Sequence, residues 1–254
     1  MSTDEIVGNH PRRGDEVRPV ECLGIVPARG GSKGIPGKNL FPVGGKPLLY
    51  WTLKCARESQ SLTRVVVSTD SLEIAQVARA YSAEVPFMRP VELAADDTPG
   101  IDVILHALAW LESNEGYEPQ LVTVLQPTSP LRTADHIDRA RDLLVMRNAP
   151  AVVSVTEVAY HPFWMKKVAA DGVLHNFIDV AAQYHRRQDL PTLYAVNGAV
   201  YLARRSVLTD QKTLFPEGTL AFIMAQSTSL DVDTPWDAHL ADLILRDEND
   251  PETD

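Results

Sequence analysis

Cysteine is scarce in this chain: Cys22 and Cys55 are the only two in 254 residues. Two thiols cannot build a disulfide framework, so the simplest expectation is a pair of reduced cysteines in a cytoplasmic protein. A basic excess is missing too. With 24 Lys and Arg against 34 Asp and Glu, the net charge is −10. That balance argues against nucleic acid as a general partner, because a phosphate-tracking surface needs surplus cations. One local basic pocket for a nucleotide stays compatible with it. Residues Met1 to Pro19 hold no apolar run that could serve as a signal-peptide core or a membrane span, so residues 1–20 are expected to form a mobile tail and no membrane partner is expected. The acidic stretch Asp247 to Asp254 is expected to fray. Internal repeats and low-complexity linkers are absent as well. At 44% hydrophobic and 23% charged residues, the remainder, 21–254, is expected to fold around one sizeable core.

The two commonest phosphate loops are also missing. A Walker A loop needs G-x-x-x-x-G-K-[ST], yet Ser32 stands five places before Gly37 and Asn39 follows Lys38. The fingerprint G-x-G-x-x-G fails because Ser32 stands two places after Gly30. What is present instead is Leu23 to Asn39, LGIVPARGGSKGIPGKN, an apolar strand-like run that turns at Pro27 into a loop of four glycines. Arg29, Lys33 and Lys38 are interleaved with Gly30, Gly31, Gly34 and Gly37. Glycines let main-chain N–H groups approach a ligand, and the cations suit a polyphosphate. A buried strand feeding such a loop is a candidate nucleotide site of a less common kind.

These residues resemble the acylneuraminate cytidylyltransferase family, the CMP-sialic acid synthetases. The resemblance continues through VVVSTD (Val65 to Asp70), RPVELAADDT (Arg89 to Thr98), LQPTSPLRT (Leu125 to Thr133), RRQDLP and NGAVYL (Arg186 to Leu202), and LDVDT (Leu230 to Thr234). It covers nearly all of the chain after Cys22, in the family's order. The first and fourth blocks are specific, whereas a lone D-x-D is not.

Apolar runs alternate with amphipathic segments, the pattern of an α/β domain with a mostly parallel sheet and helices on both faces. The resemblance implies the Rossmann-like nucleotidyltransferase version of that architecture. Strands are expected at Cys22 to Val26, Arg64 to Ser68, Gln120 to Leu125, Ala151 to Val155, Ala199 to Ala203 and Ala221 to Ala225. Helices are expected at Pro47 to Glu58, Leu72 to Ala80, Ile101 to Glu112, Ala134 to Met146 and Pro235 to Leu245. Thr234, Pro235 and Asp237 give the last helix a clear start signal. In the third, Ile101, Ile104, Leu105, Leu108 and Leu111 form a core stripe, and His106 reads as a satisfied structural histidine. From Thr156 to about Thr219 the helical period is lost, and Asp171-Gly172 reads as a hairpin turn beside the cluster His161 to Met165. In the resembled family this region extends from the core and makes a homodimer; packing on its own domain is the competing reading.

Nucleotide transfer loads negative charge onto departing pyrophosphate, and Arg29, Lys33 and Lys38 are the cations available to meet it, with Ser32 as a hydroxyl donor. The resemblance implies CTP as one substrate, with Arg29 and Lys38 on its triphosphate and Asn39 near base and ribose. It also places Arg89 near the nucleotide. If LDVDT is extended, Asp231 and Asp233 project to one side and could share a Mg²⁺ ion; a cap before the helix is the alternative for that segment. Asp70 either faces the cleft or caps the helix near Leu72, the cap being expected. Gln126 suits sugar hydroxyls or the acid group, and Arg132 is as readily a structural ion-pair residue. For an acidic keto-sugar, the resemblance points to Arg187 as the carboxylate fork and to Tyr201 as a further sugar contact.

Two departures from the family pattern stand out. Ala195-Val196 precede Asn197-Gly198 where bacterial sialic-acid enzymes carry Arg-Pro, and Thr98-Pro99-Gly100 replaces small hydroxyl residues near the nucleotide. The expected activity is Mg²⁺-dependent transfer of CMP from CTP to a nonulosonic acid by a homodimer. Another base such as GTP, the eight-carbon sugar Kdo, or a nucleotide-binding protein without catalysis are the alternatives.

Overall fold

Alternate side chains of the strand Cys22–Pro27 (β1) enter different cores: Cys22 and Val26 join one apolar cluster, Leu23 and Ile25 another. A strand buried on both faces is what a parallel sheet between helices requires. The computed structural model describes residues 20–178 and 186–247, with Arg187 in its backbone only. The expected tail up to residue 19 and all of Asp247 to Asp254 but Asp247 itself lie outside them.

After β1 come a short antiparallel pair, Pro42–Val43 (β2) and Lys46–Pro47 (β3), helix Leu48–Glu58 (α1), strand Arg64–Ser68 (β4) and helix Leu72–Ala80 (α2). Helix Gly100–Glu115 (α3), strand Leu121–Val124 (β5), helix Ala134–Met146 (α4) and strand Ala151–Glu157 (β6) follow. The chain then makes the antiparallel hairpin Lys166–Val168 (β7) and Leu174–Asn176 (β8), with the turn at Asp171-Gly172 as expected. It returns through Tyr194–Arg204 (β9), Arg205–Gln211 (α5), Leu220–Met224 (β10) and Pro235–Asp247 (α6).

The main sheet has the order β10-β6-β9-β5-β1-β4. β1 pairs in parallel with β4 and β5, and β10 in parallel with β6; β9 alone runs antiparallel to both neighbours. Side chains of α1, α2 and α4 pack on one face and those of α3 and α5 on the other, giving helices on both faces. Ile104, Leu108 and Leu111 of the expected stripe are buried as the spacing predicts, whereas Ile101 and Leu105 at its margins are half-buried. His106 differs from expectation: it is held by edge-on ring packing against Phe87, at 5.1 Å, and its buried Nδ1 has no hydrogen-bond partner among the described residues.

Besides the short pair β2 and β3, two further elements exceed the sequence reading. β9 extends from Tyr194, well before Ala199, because its first residues pair with β6 through a register shift beyond Val153. The polar α5 has only two buried side chains, Val207 and Leu208, too few to print a helical period.

From β1 the chain passes to β4 on one side and then crosses to β5 on the other. Parallel sheets bind ligands at such a switch point, beyond the carboxyl ends of the strands. The loop after Pro27, Thr69-Asp70 and Gln126 to Thr128 therefore meet at one edge. β9, running the other way, brings its early residues to the same edge.

Candidate active site

Helix α6 folds back beneath the glycine loop, since Ile35, Val43, Leu48 and Trp51 pack on Val232, Ala238 and Leu245. This packing brings residues some 200 positions apart in sequence into contact. A Cβ at Gly34 would fall 2.3 Å from the Asp233 carbonyl oxygen, so only glycine allows the approach. Thr234 and Asp237 form reciprocal capping bonds, with the Asp237 N–H on Thr234 Oγ1 and the Thr234 N–H on Asp237 Oδ2. That cap fixes the D-x-D segment just ahead of it.

The glycine loop is shaped by polar contacts at its start. The Gly30 N–H donates to Asp70 Oδ1 at 2.8 Å, and Asn39 Nδ2 donates to the Arg29 carbonyl at 2.8 Å. Asp70 is therefore not the helix cap: Ser71 caps α2 by accepting from the Ile74 N–H, and Asp70 holds the loop instead. The expectation failed because Ser71, one place on, is an equally good capping residue with the spacing that α2 needs.

The loop and the strand ends border a cleft of about 420 Å³. Arg29, Ser32, Lys38, Asn39, Arg89, Gln126, Asp231 and Asp233 all line it. Lys33 lies outside the lining, its side chain largely exposed and its Nζ 2.8 Å from Asp96 Oδ2. Tyr201 is not in the lining either; it packs edge-on against Phe215 of the loop between α5 and β10, at 6.0 Å between rings. Burial, then the charge of Asp231, raises the Tyr201 phenol above its ordinary range. The Arg187 backbone forms part of the turn Arg187–Asp189, and its side chain lies outside the described residues. Ala195 and Val196 pair with Thr156 and Val155 at the start of β9 and also stand clear of the lining.

The cations are matched by acids across the cleft. Arg29 Nη2 meets Asp96 Oδ1 at 2.8 Å, and Lys38 Nζ meets Asp233 Oδ1 at 2.8 Å and the Val232 carbonyl at 3.0 Å. Lys33 and Arg29 together hold the Asp96 carboxyl below the usual carboxylate range. Asp96 and Thr128 are polar lining residues that the sequence reading did not assign to the site. Both stood inside recognised blocks, RPVELAADDT and LQPTSPLRT, but a search for cations to meet a triphosphate passes over an acid.

Arg89 is 5% exposed and bonds Ser68 twice, Nε to the hydroxyl at 3.1 Å and Nη2 to the carbonyl. Burial lowers its pKa to about 10 against the opposing charge of Asp70, with Arg29 pushing down further. Asp231 shifts the other way. Crowding by the surrounding protein raises its carboxyl, a Thr128 hydrogen bond opposes that, and the negative charge of Asp233 adds to the rise. Arg132 was open to reading as an ion-pair residue. Its guanidinium instead bonds main-chain carbonyls and a hydroxyl, with no carboxylate partner among the described residues.

A cationic glycine loop at the switch point of this sheet, facing a cleft with the carboxylates of Asp96, Asp231 and Asp233, defines an α/β nucleotidyltransferase. More narrowly, the chain belongs to the cytidylyltransferase family, whose model, described as Cytidylyltransferase, matches residues 23–217. CMP-N,N'-diacetyllegionaminic acid synthase of Legionella pneumophila is 33% identical, the match covering 89% of this chain and 97% of that protein. N-acylneuraminate cytidylyltransferase of Streptococcus agalactiae serotype V is 34% identical over 83% of this chain, which spans only 50% of that longer protein. Among solved structures, CMP:2-keto-3-deoxy-manno-octonic acid synthetase complexed with CTP superposes with a TM-score of 0.67 at 20% identity, covering 90% of this chain and 99% of the other. At that identity the likeness is one of fold.

Proposed function

We propose that this protein transfers CMP from CTP to the anomeric hydroxyl of a nonulosonic acid, releasing pyrophosphate. The observation that carries the reading is the convergence of Arg29, Ser32, Lys38, Asn39 and Arg89 on one cleft with Gln126, Asp231 and Asp233. Cations for a polyphosphate and acids for a metal share one space there. The names of the Legionella and Streptococcus relatives support the acid-sugar class, with legionaminate and N-acetylneuraminate types as first candidates.

The bond that forms joins the sugar oxygen to the α-phosphorus, and the bond that breaks releases the β- and γ-phosphates with their added charge. Arg29 and Lys38 are placed to bind the triphosphate and to stabilise that charge as it develops, in a site partly shielded from water. Each must first leave an acid, Asp96 or Asp233. Charge-assisted bonds to phosphate outcompete solvent-screened ion pairs, so nucleotide entry is favourable. Gln126 offers one carbonyl oxygen and two N–H donors to sugar hydroxyls or to the acid group.

Asp231 and Asp233 suit Mg²⁺, which takes one or two carboxylates and fills its remaining positions with phosphate oxygens and water. Burial first, and then the negative charge of Asp233, raise the Asp231 carboxyl, so a cation placed against it would be favoured. When bound, the ion would neutralise phosphate charge and favour ionisation of the attacking hydroxyl.

A homodimer completes the proposal. The hairpin shows Val168, Leu174 and Phe177 to solvent at 70%, 64% and 52%, and a cavity of about 430 Å³ opens at its root between Glu157, His161, Trp164 and Leu193. A two-stranded hairpin with that apolar surface gains stability by packing on a partner, and a second copy of this chain is the partner proposed. Light scattering on the purified protein would read twice the chain mass. No helix among the described residues is long and apolar enough to cross a membrane.

The experiment for the activity is a pyrophosphate-release screen crossing four nucleoside triphosphates with nonulosonic acids and Kdo. Release with CTP and a nonulosonic acid is the expected result. Release only with GTP, or only with Kdo, would overturn the corresponding half of the reading.

A further inference from the structure

Gln126 leaves the end of β5 under unusual constraint. Its main-chain carbonyl accepts from two buried groups, Arg132 Nη1 at 3.1 Å and Thr52 Oγ1 at 3.3 Å. Arg132 is 3% exposed and spans a gap between three segments. Its Nη1 also donates to the Ala199 carbonyl in β9 at 2.7 Å, its Nη2 to Thr52 Oγ1 in α1 at 2.6 Å, and its Nε to Cys55 Sγ at 3.4 Å. A buried guanidinium without a carboxylate is costly to desolvate. The planar fork is the one side chain that can bond two carbonyls and a hydroxyl in these directions, and lysine cannot replace it.

A second constraint reaches the other end of the same residue. Gly198 has φ +75°, and a Cβ there would lie 2.6 Å from Gln126 Oε1. The side-chain amide therefore occupies space that any other residue at 198 would take. Arg132 bonds Ala199, the next residue, so one guanidinium sets the spacing of both sides of this contact. Gln126 faces the cleft between them.

We propose that Arg132 and Gly198 are positioning residues that fix the Gln126 carboxamide in the cleft, and so determine which acid sugars are accepted. The inference rests on the reading that this cleft takes an acid sugar at Gln126. It assigns specificity to a buried frame whose members do not themselves touch the substrate.

The test is a double-mutant cycle in the pyrophosphate-release assay, with CTP and the acid sugar that the parent enzyme uses best. Gly198→Ala is expected to raise the sugar KM roughly tenfold, the scale of one displaced hydrogen-bonding group, and to leave the CTP KM within about twofold. In a Gln126→Ala background Gly198→Ala is expected to add no further rise in the sugar KM, because the amide it displaces is gone, while the strain of alanine at φ +75° lowers the melting temperature equally in both backgrounds. Arg132→Lys keeps the charge, loses the fork, and should raise the sugar KM in the same direction. If Arg132→Lys fails to fold, the Gly198 cycle decides: the backbone strain of an alanine at φ +75° is common to both backgrounds and cancels in the coupling, which reads the Cβ–Oε1 clash alone. Additive effects of Gly198→Ala and Gln126→Ala, or equal rises in both KM values, would overturn the proposal. A parent enzyme that releases no pyrophosphate with any acid sugar would refute the functional reading, and this inference with it.

Discussion

The two ends of the cleft are built on different principles. At the loop end, Arg29 and Lys38 are partly accessible and already paired with acids from other segments, Asp96 and Asp233. Such partners can be exchanged for phosphate oxygens. At the Gln126 end nothing is exchangeable: Arg132 and Thr52 are buried, their bonds run to main-chain oxygens, to each other and to Cys55 Sγ, and Gly198 leaves room for the amide and nothing more. The contrast teaches that charge is managed by substitution at one end and shape by rigidity at the other. Polyphosphate chemistry is common to many substrates, so the proposal assigns discrimination to the rigid end.

The largest effect that would sharpen this contrast is expected between the two ends, at the carboxylates. Asp231→Asn and Asp233→Asn each keep the shape and remove an anionic ligand, so turnover at limiting Mg²⁺ should fall by roughly a hundredfold or more with the fold retained. Near-parental turnover for both would make LDVDT a helix cap and nothing else. Next in size is Lys38→Ala, expected to weaken CTP binding by roughly ten- to a hundredfold, as loss of a charge-assisted bond does. Sugar affinity, titrated separately, should stay put; equal damage to both would mean that the loop had collapsed and that the ends are not independent.

Asp96→Asn should act the opposite way. Freed of their placeholder, Arg29 and Lys33 should bind CTP and inorganic pyrophosphate a few-fold more tightly by calorimetry, an effect that high salt erases. Weaker binding would show that Asp96 orients the cations in the loaded state. The smallest effect concerns stability. Asp231 has a folded pKa above its unfolded value near 3.9, so its ionised form at neutral pH opposes folding. Without metal, Asp231→Asn should therefore melt slightly above the parent at pH 7. The advantage should vanish as pH falls through the folded pKa to below the unfolded one. A lower melting temperature for the variant at pH 7 would contradict that assignment.

Much of the fold was legible because strands and helices here carry strong periodic patterns. Leu72–Ala80 and Ala134–Met146 begin and end where spacing and composition place them. The antiparallel sense of β9 was not legible, since a buried strand carries no mark of its direction. In the site, the glycine loop announced itself by composition and its blocks by resemblance. Supporting contacts did not. Asp70 to Gly30, Arg132 to Ala199 and Asp96 to Arg29 join residues 40 to 67 positions apart, and each needs the folded sheet to bring the partners together. Gly198 is the clearest case: its sequence context, Asn-Gly, suggests a turn, whereas the structure uses it inside a strand to make room for an amide.

The central claim is that this cleft joins the α-phosphate of CTP to an acid sugar, and the fate of that phosphate tests it most directly. CTP labelled at the α-phosphorus would be incubated with the protein, Mg²⁺ and N,N'-diacetyllegionaminate or N-acetylneuraminate, and the products separated. The account predicts label in a new CMP-sugar, unlabelled pyrophosphate in equal amount, and loss of both in Lys38→Ala. Label recovered only as free CMP, or transfer of the γ-phosphoryl group with the α-label left in CDP, would contradict it.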